Sequence, residues 1–266
     1  MTGSHVVSNG WAHARIALQR QLVYRFSNWS GLFTNCFFLY FRAYALRACY
    51  EHRDSIGGLD VAQIVTYVTV SQAFLMVIPA WGKVGVADSV RSGQIAIDLA
   101  RPTDFVTCYL GSRFGVSTYY SVARALPLLV VGGLAGFLTL PPIGVLPIFL
   151  LSVVLAAWIA HLILLLIELS SFWLGSEQGV RWLVLGFSSL FSGLILPIDF
   201  FPAWAQMLSR FLPFEQTLYA PTSVWIGAEA GVLSVVGVQF LWAVLLTALA
   251  RTVFQAGRRE VLVHGG

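Results

Sequence analysis

Long apolar blocks alternate with short polar stretches along the whole chain, and the block lengths give the first reading. Crossing the hydrocarbon core of a bilayer takes about 20 apolar residues in helical form. Blocks of that order lie at 31–50, 61–81, 107–138, 148–173 and 230–250, and a sixth, at 182–196, is short for a full crossing. The third block is too long for one straight crossing. Arg124 and Pro127 mark a discontinuity in it, because proline removes an amide donor and crowds the preceding turn. The pattern predicts an all-α integral membrane protein with six transmembrane helices.

Three further stretches do not fit a plain span-and-loop scheme. Residues 11–29 carry Ile16, Leu18, Leu22, Val23 and Phe26 interrupted by Arg15, Arg20 and Arg25. That amphipathic pattern predicts an N-terminal interfacial helix lying in the membrane plane, with an ordinary lead-in as the other reading. Residues 88–104 form a polar island whose charges alternate in sign (Asp88, Arg91, Asp98, Arg101, Asp104) around Val90, Ile95, Ile97 and Leu99. Arg101-Pro102 ends it, since a residue before proline avoids the helical region. The island reads either as a docking surface for a soluble partner or as a solvated loop. Residues 197–227 are too long and too aromatic for a solvated loop, and Pro197, Pro202, Pro213 and Pro221 cut them into short pieces. They predict one or two half-helices re-entering the outer leaflet. Their aromatic residues, among them Phe200, Phe201, Trp204, Phe211, Phe214, Tyr219 and Trp225, suit a membrane interface.

Composition narrows the class. Hydrophobic residues make up 58% and charged residues 11% of the chain, against roughly 25% charged in soluble domains. The net charge of +4 is small, which disfavours nucleic acid as a partner. Basic residues gather on one side. With the N-terminus inside, the inner segments hold Arg15, Arg20, Arg25, Lys83, Arg91, Arg101, Arg113, Arg181, Arg251, Arg258 and Arg259. The outer segments hold Arg47, Arg53 and Arg210. That asymmetry predicts both termini in the cytoplasm. The N-terminal 28 residues have no early apolar core, so no cleavable signal peptide is expected.

Candidate chemistry is sparse. No GxxxxGK[ST], HExxH or Gly-x-Ser-x-Gly pattern occurs, and Cys36, Cys49 and Cys108 have no metal-ligand spacing. No enzyme is expected, and no cofactor or metal on this chain. Three charged residues fall inside predicted spans: Arg42, Arg124 and Glu168. Ionisable groups there are expensive and mark either buried pairs or transport sites. Arg181 is the evident partner for Glu168, while a proton-coupled carrier or channel using all three is the alternative. Small-xxx-small pairs at Gly111/Gly115, Gly132/Gly136 and Gly227/Gly231 allow close helix approach.

The pattern Ser92-Gly-Gln-Ile-Ala-Ile-Asp-Leu-Ala-Arg-Pro-Thr-Asp-Phe105 resembles the cytoplasmic signature of ABC-2 type exporter permeases. It is similar to the bacterial branch in which two different six-span permeases pair with one kind of ATPase. Leu196-Pro-Ile-Asp-Phe-Phe-Pro-Ala-Trp204, followed by Leu212-Pro-Phe214, resembles that branch's outer re-entrant segment, and Phe41-Arg-Ala-Tyr44 fits its first span. Gln94 departs from the pattern, where an acidic residue is expected. The resemblance covers essentially the whole chain, 1–266, as a single transmembrane domain. It implies a permease subunit of an ATP-driven exporter in a bacterial plasma membrane, moving a hydrophobic or amphiphilic small molecule. ATP and Mg would sit on a separate ABC ATPase subunit. A second six-span permease would complete the pathway, as a heterodimer or, failing that, a homodimer. Arg91, Gly93, Asp98, Arg101, Pro102 and Asp104 would meet the ATPase. Pro197, Asp199, Phe200, Pro202, Trp204, Pro213 and Phe214 would belong to the outer segment.

Overall fold

The computed structural model describes residues 3–21, 25–78, 85–100, 103–228 and 231–264. They are almost entirely helical, with one two-stranded hairpin pairing Ser55–Ile56 with Leu59–Asp60. Three stretches are long and apolar enough to cross a membrane: Phe105–Leu134, Ile143–Leu174 and Val232–Glu260. At 1.5 Å per residue the first, of 30 residues, is about 45 Å long. The other predicted spans correspond to α2 (Arg25–Ala48), the 17-residue α3 (Val61–Val77) and the 14-residue α10 (Gln178–Phe191). Each of these three is either shorter or more polar.

The N-terminal helix α1 covers Gly3–Gln21, and Trp29, at the far end of the expected 11–29 helix, belongs to α2 instead. α1 runs alongside α6 (Phe105–Tyr120) in the same direction. Gly10 lies against Gly111 and Ala14 against Gly115, so close that a Cβ on either α6 glycine would strike an α1 carbonyl. Tyr120 Oη donates to Gln21 Oε1 at 3.3 Å. Further along, α2 takes over: Gly31 meets the Arg124 guanidinium, and Tyr40 and Tyr44 pack edge-on against Phe137. Glycines explain this close approach. Lipid tails offer helices no hydrophobic drive to associate, so backbone contact through small residues decides where α1 goes.

The discontinuity expected at Arg124–Pro127 is a π-helix at Ser121–Ala125, which leads into α7 (Leu126–Leu134). Pro127 has no amide to donate to residue 123, so that turn opens. α3 is started by a capping box: Gln63 N donates to Asp60 Oδ1 at 2.7 Å, and Asp60 N donates to Gln63 Oε1 at 3.0 Å. α8 (Leu146–Leu169), followed by the single turn α9 (Ser171–Leu174), is the most enclosed long helix and touches both halves of the core. One half centres on Tyr67, Leu128, Phe149 and Trp225, the other on Ile159, Leu162, Leu165 and Ala250. α13 (Val232–His264) closes the bundle and continues as helix through Arg251, Arg258 and Arg259, which the sequence reads as a tail beyond the last span.

Candidate functional site

The polar island folds as two short helices, α4 (Val86–Arg91) and α5 (Ile95–Ala100). Gly93 forms the turn between them at φ +73°, a left-handed conformation that L side chains avoid. Three ties hold the island to the bundle. At the end of α8, Glu168 is 1% exposed and accepts from the backbone amide of Ala87, in the first turn of α4, at 2.9 Å. Its other oxygen pairs with Arg181 of α10. Arg91 pairs with Asp88 on its own helix and reaches Glu177 at 3.4 Å, just ahead of α10. The Asp88 hydrogen bond raises the Arg91 guanidinium above its ordinary pKa, so it stays charged at any physiological pH. Asp104 caps α6, accepting from Thr107 N at 3.2 Å, and pairs with Arg251 of α13 at 3.2 Å. Asp98 lies on α5, and its side chain, together with Arg101 and Pro102, falls outside the described residues.

Arg42 and Arg124 lie elsewhere, on one cavity of about 860 Å³ among α2, α3, the π-helix and residues 194–196. Arg42 donates to Gln72 Oε1 at 2.8 Å and to the Leu194 carbonyl. Gln72 Nε2 in turn donates to Asn35 Oδ1 at 2.8 Å, so an amide relay fixes the guanidinium. Arg124 sits over the Tyr120 ring at 4.3 Å. Among the described residues, those lining this cavity bring two guanidiniums and no carboxylate, with Phe38, Phe41 and Met76 as apolar wall. Glu168 is not among them. The three charged residues predicted inside spans therefore divide into one buried pair and one shared cavity. The relay through Asn35 and Gln72 is not legible in the sequence, because neutral amides in a span carry no charge signal.

At the opposite end from α4 and α5, the 197–227 segment is a 3-10 turn (Ile198–Phe200), α11 (Ala203–Arg210) and α12 (Glu215–Ile226). Pro197 precedes the turn and Pro202 precedes α11. Pro213 lies in the connection to α12, and Phe214 stands at the head of that helix. Asp199 accepts from Tyr219 Oη at 2.8 Å, and its backbone lies against Gly57 of the hairpin. Phe200 packs on the core, while Trp204 and Phe211 are exposed. α12 is buried along almost its whole length between α3 and α8, and runs uninterrupted through Pro221. Phe214 at its start packs on the cluster containing Leu162 and Leu165, and Trp225 near its end packs on Phe149. Of the aromatic residues assigned to a membrane interface, Tyr219 and Trp225 are buried core residues, and Phe200 and Phe214 pack against the core. Tyr219 and Trp225 find partners for their polar tips inside, in Asp199 and the Thr139 carbonyl.

Long apolar helices packed as a bundle, with a polar segment clasped at one end and the mostly buried 197–227 helices at the other, make this an all-α membrane protein. Residues 37–263 match the family model for ABC-2 family transporter proteins, and the chain belongs to that family. Membership makes it the membrane component of an ABC transporter, which works with an ABC ATPase. No curated protein and no solved structure matches it.

Proposed function

We propose that this chain is the permease subunit of an ATP-driven exporter, with six crossings, both termini in the cytoplasm and the 88–104 segment gripped by the ATPase. ATP and Mg belong to that partner, and a second six-span permease, different from this one, faces it across the pathway in a bacterial plasma membrane. The observation that carries the reading is the clasp on α4: Glu168 and Glu177 fasten the segment to the ends of α8 and α10, and Asp104 fastens its far end to α13. A motor that moved this segment would move three bundle helices with it. Differential contact in two states is what any driven transition requires. The arginine-lined cavity, with Phe38, Phe41 and Met76 as its apolar wall, supports a hydrophobic or amphiphilic cargo.

The test is reconstitution with an ABC ATPase and a second permease encoded beside this chain. Arg91→Glu and Arg101→Glu each insert normally but lose assembly or stimulation of ATP hydrolysis. Normal stimulation in both variants overturns the docking site. Gradient-driven transport by the purified chain alone, without nucleotide, supports a carrier instead.

A further inference from the structure

Arg113 lies eight residues into α6 and is used by none of the contacts described above. Its Nε and one Nη are buried without a hydrogen-bond partner. A guanidinium left unsatisfied away from water is costly, and such groups are normally paired. Arg113 lines an open cavity of about 450 Å³ between three elements. α1 contributes His13, the polar segment contributes Ser89 and Thr103, and α6 contributes Tyr109 and Ser112 beside the arginine. Among the described residues lining it there is no carboxylate. Tyr109 and His161 are near Arg113 but do not neutralise it: Tyr109 Oη donates to the His161 carbonyl at 3.3 Å, and Ser117 takes His161 Nε2 at 2.8 Å.

We infer that this cavity binds a phosphate group, held by Arg113 and bridging α1, the 88–104 segment and α6. The geometry favours phosphate over carboxylate. One guanidinium fork already satisfies both oxygens of a carboxylate. Here the hydroxyls of Ser89 and Thr103 on the polar segment, and of Ser112 on α6 itself, supply donors for a third and fourth oxygen. The group is either the headgroup of a phospholipid whose tails lie outside the bundle or a free phosphate from solution. The site is separate from the cavity of Arg42 and Arg124, and does not depend on what the permease exports. Ligand there would fasten the polar segment to α6 at a point the Glu168 and Asp104 ties do not reach.

The experiment uses the full chain in mild detergent, as wild type, Arg113→Met and Ser89→Trp. The second variant keeps the arginine and fills the cavity from the opposite wall. Native mass spectrometry counts phospholipid retained per chain, and thermal unfolding after delipidation is followed with and without millimolar inorganic phosphate. One phospholipid retained by wild type and at least about tenfold less by both variants identifies the lipid source. Stabilisation of delipidated wild type by phosphate, absent in both variants, identifies the free anion. Equal retention and equal phosphate response in all three proteins overturns the inference. So does an Arg113→Met protein that melts higher than lipid-replete wild type, since only an empty cavity gains by losing its charge.

Discussion

Glu168 shows how one side chain can hold two elements. Its carboxylate takes the α4 amide on one oxygen and Arg181 on the other, with almost no exposure to solvent. Breaking a buried pair from one side leaves a stranded charge, at about 3–5 kcal/mol. Glu168→Ala is therefore expected to lower unfolding stability by about that amount. Glu168→Gln, which keeps an acceptor for Ala87, should lose less. The double variant Glu168→Met, Arg181→Met should recover most of the loss, and thermal unfolding of the four proteins in detergent checks the order. Arg91 is different: its salt bridge to Asp88 is exposed, while its second partner Glu177 is buried, so Arg91→Ala should cost more stability than loss of a surface pair and less than Glu168→Ala. A large stability loss there would mean that its effect on the ATPase is indirect. Of these partnerships the Glu168–Arg181 pair is legible from sequence, because it joins the evident opposite charges in that region. The Ala87 amide is not, since every residue except proline carries one.

Among the elements, α1 makes a contact that its own sequence pattern does not announce. Its arginines and apolar residues predict a helix facing headgroups, and the structure lays it along α6 through Gly10, Gly111 and Gly115. The small-residue spacing in α6 is visible in the chain, but nothing in it says which helix approaches. Gly115→Leu should force the two backbones apart at a cost of about 1–3 kcal/mol. Limited proteolysis should then cut α1 faster, while the remainder of the bundle stays resistant. Unchanged protection of α1 would mean that α1 is held by something other than this contact. The same limit explains α12. Prolines and aromatics announce a folded-back segment, but a tryptophan that faces lipid and one that faces Phe149 look alike in sequence. The π-helix, by contrast, was announced by Pro127, because proline acts on its own backbone whatever surrounds it.

On the scale of the whole molecule, the charge asymmetry, the two polar interruptions and the alternation of blocks carry the class of protein on their own. The cavities do not emerge that way. Arg42 and Arg124 are far apart in sequence, and only the packing of α2 against the π-helix brings them to one wall. Sidedness is open to direct measurement. In a Cys49→Ser background, Ser92→Cys should react with a membrane-impermeant thiol reagent in inverted vesicles and not in intact cells. Labelling of intact cells would put the 88–104 segment on the outer side and end the proposed ATPase contact.

α8 links the two ends of the bundle. One end of it grips α4 and Arg181, and near the other Phe149 lies edge-on to Trp225, within contact of Phe74. Its 24 residues form an unbroken rod of about 36 Å. A pull on α4 would not be absorbed by bending near the carboxylate. It would travel the length of the rod as a tilt and arrive beside α12, whose tyrosine holds Asp199 and, through that residue's backbone, rests against the hairpin at Gly57. A stroke delivered at one face would thus be felt at the opposite one without any intervening relay of loops.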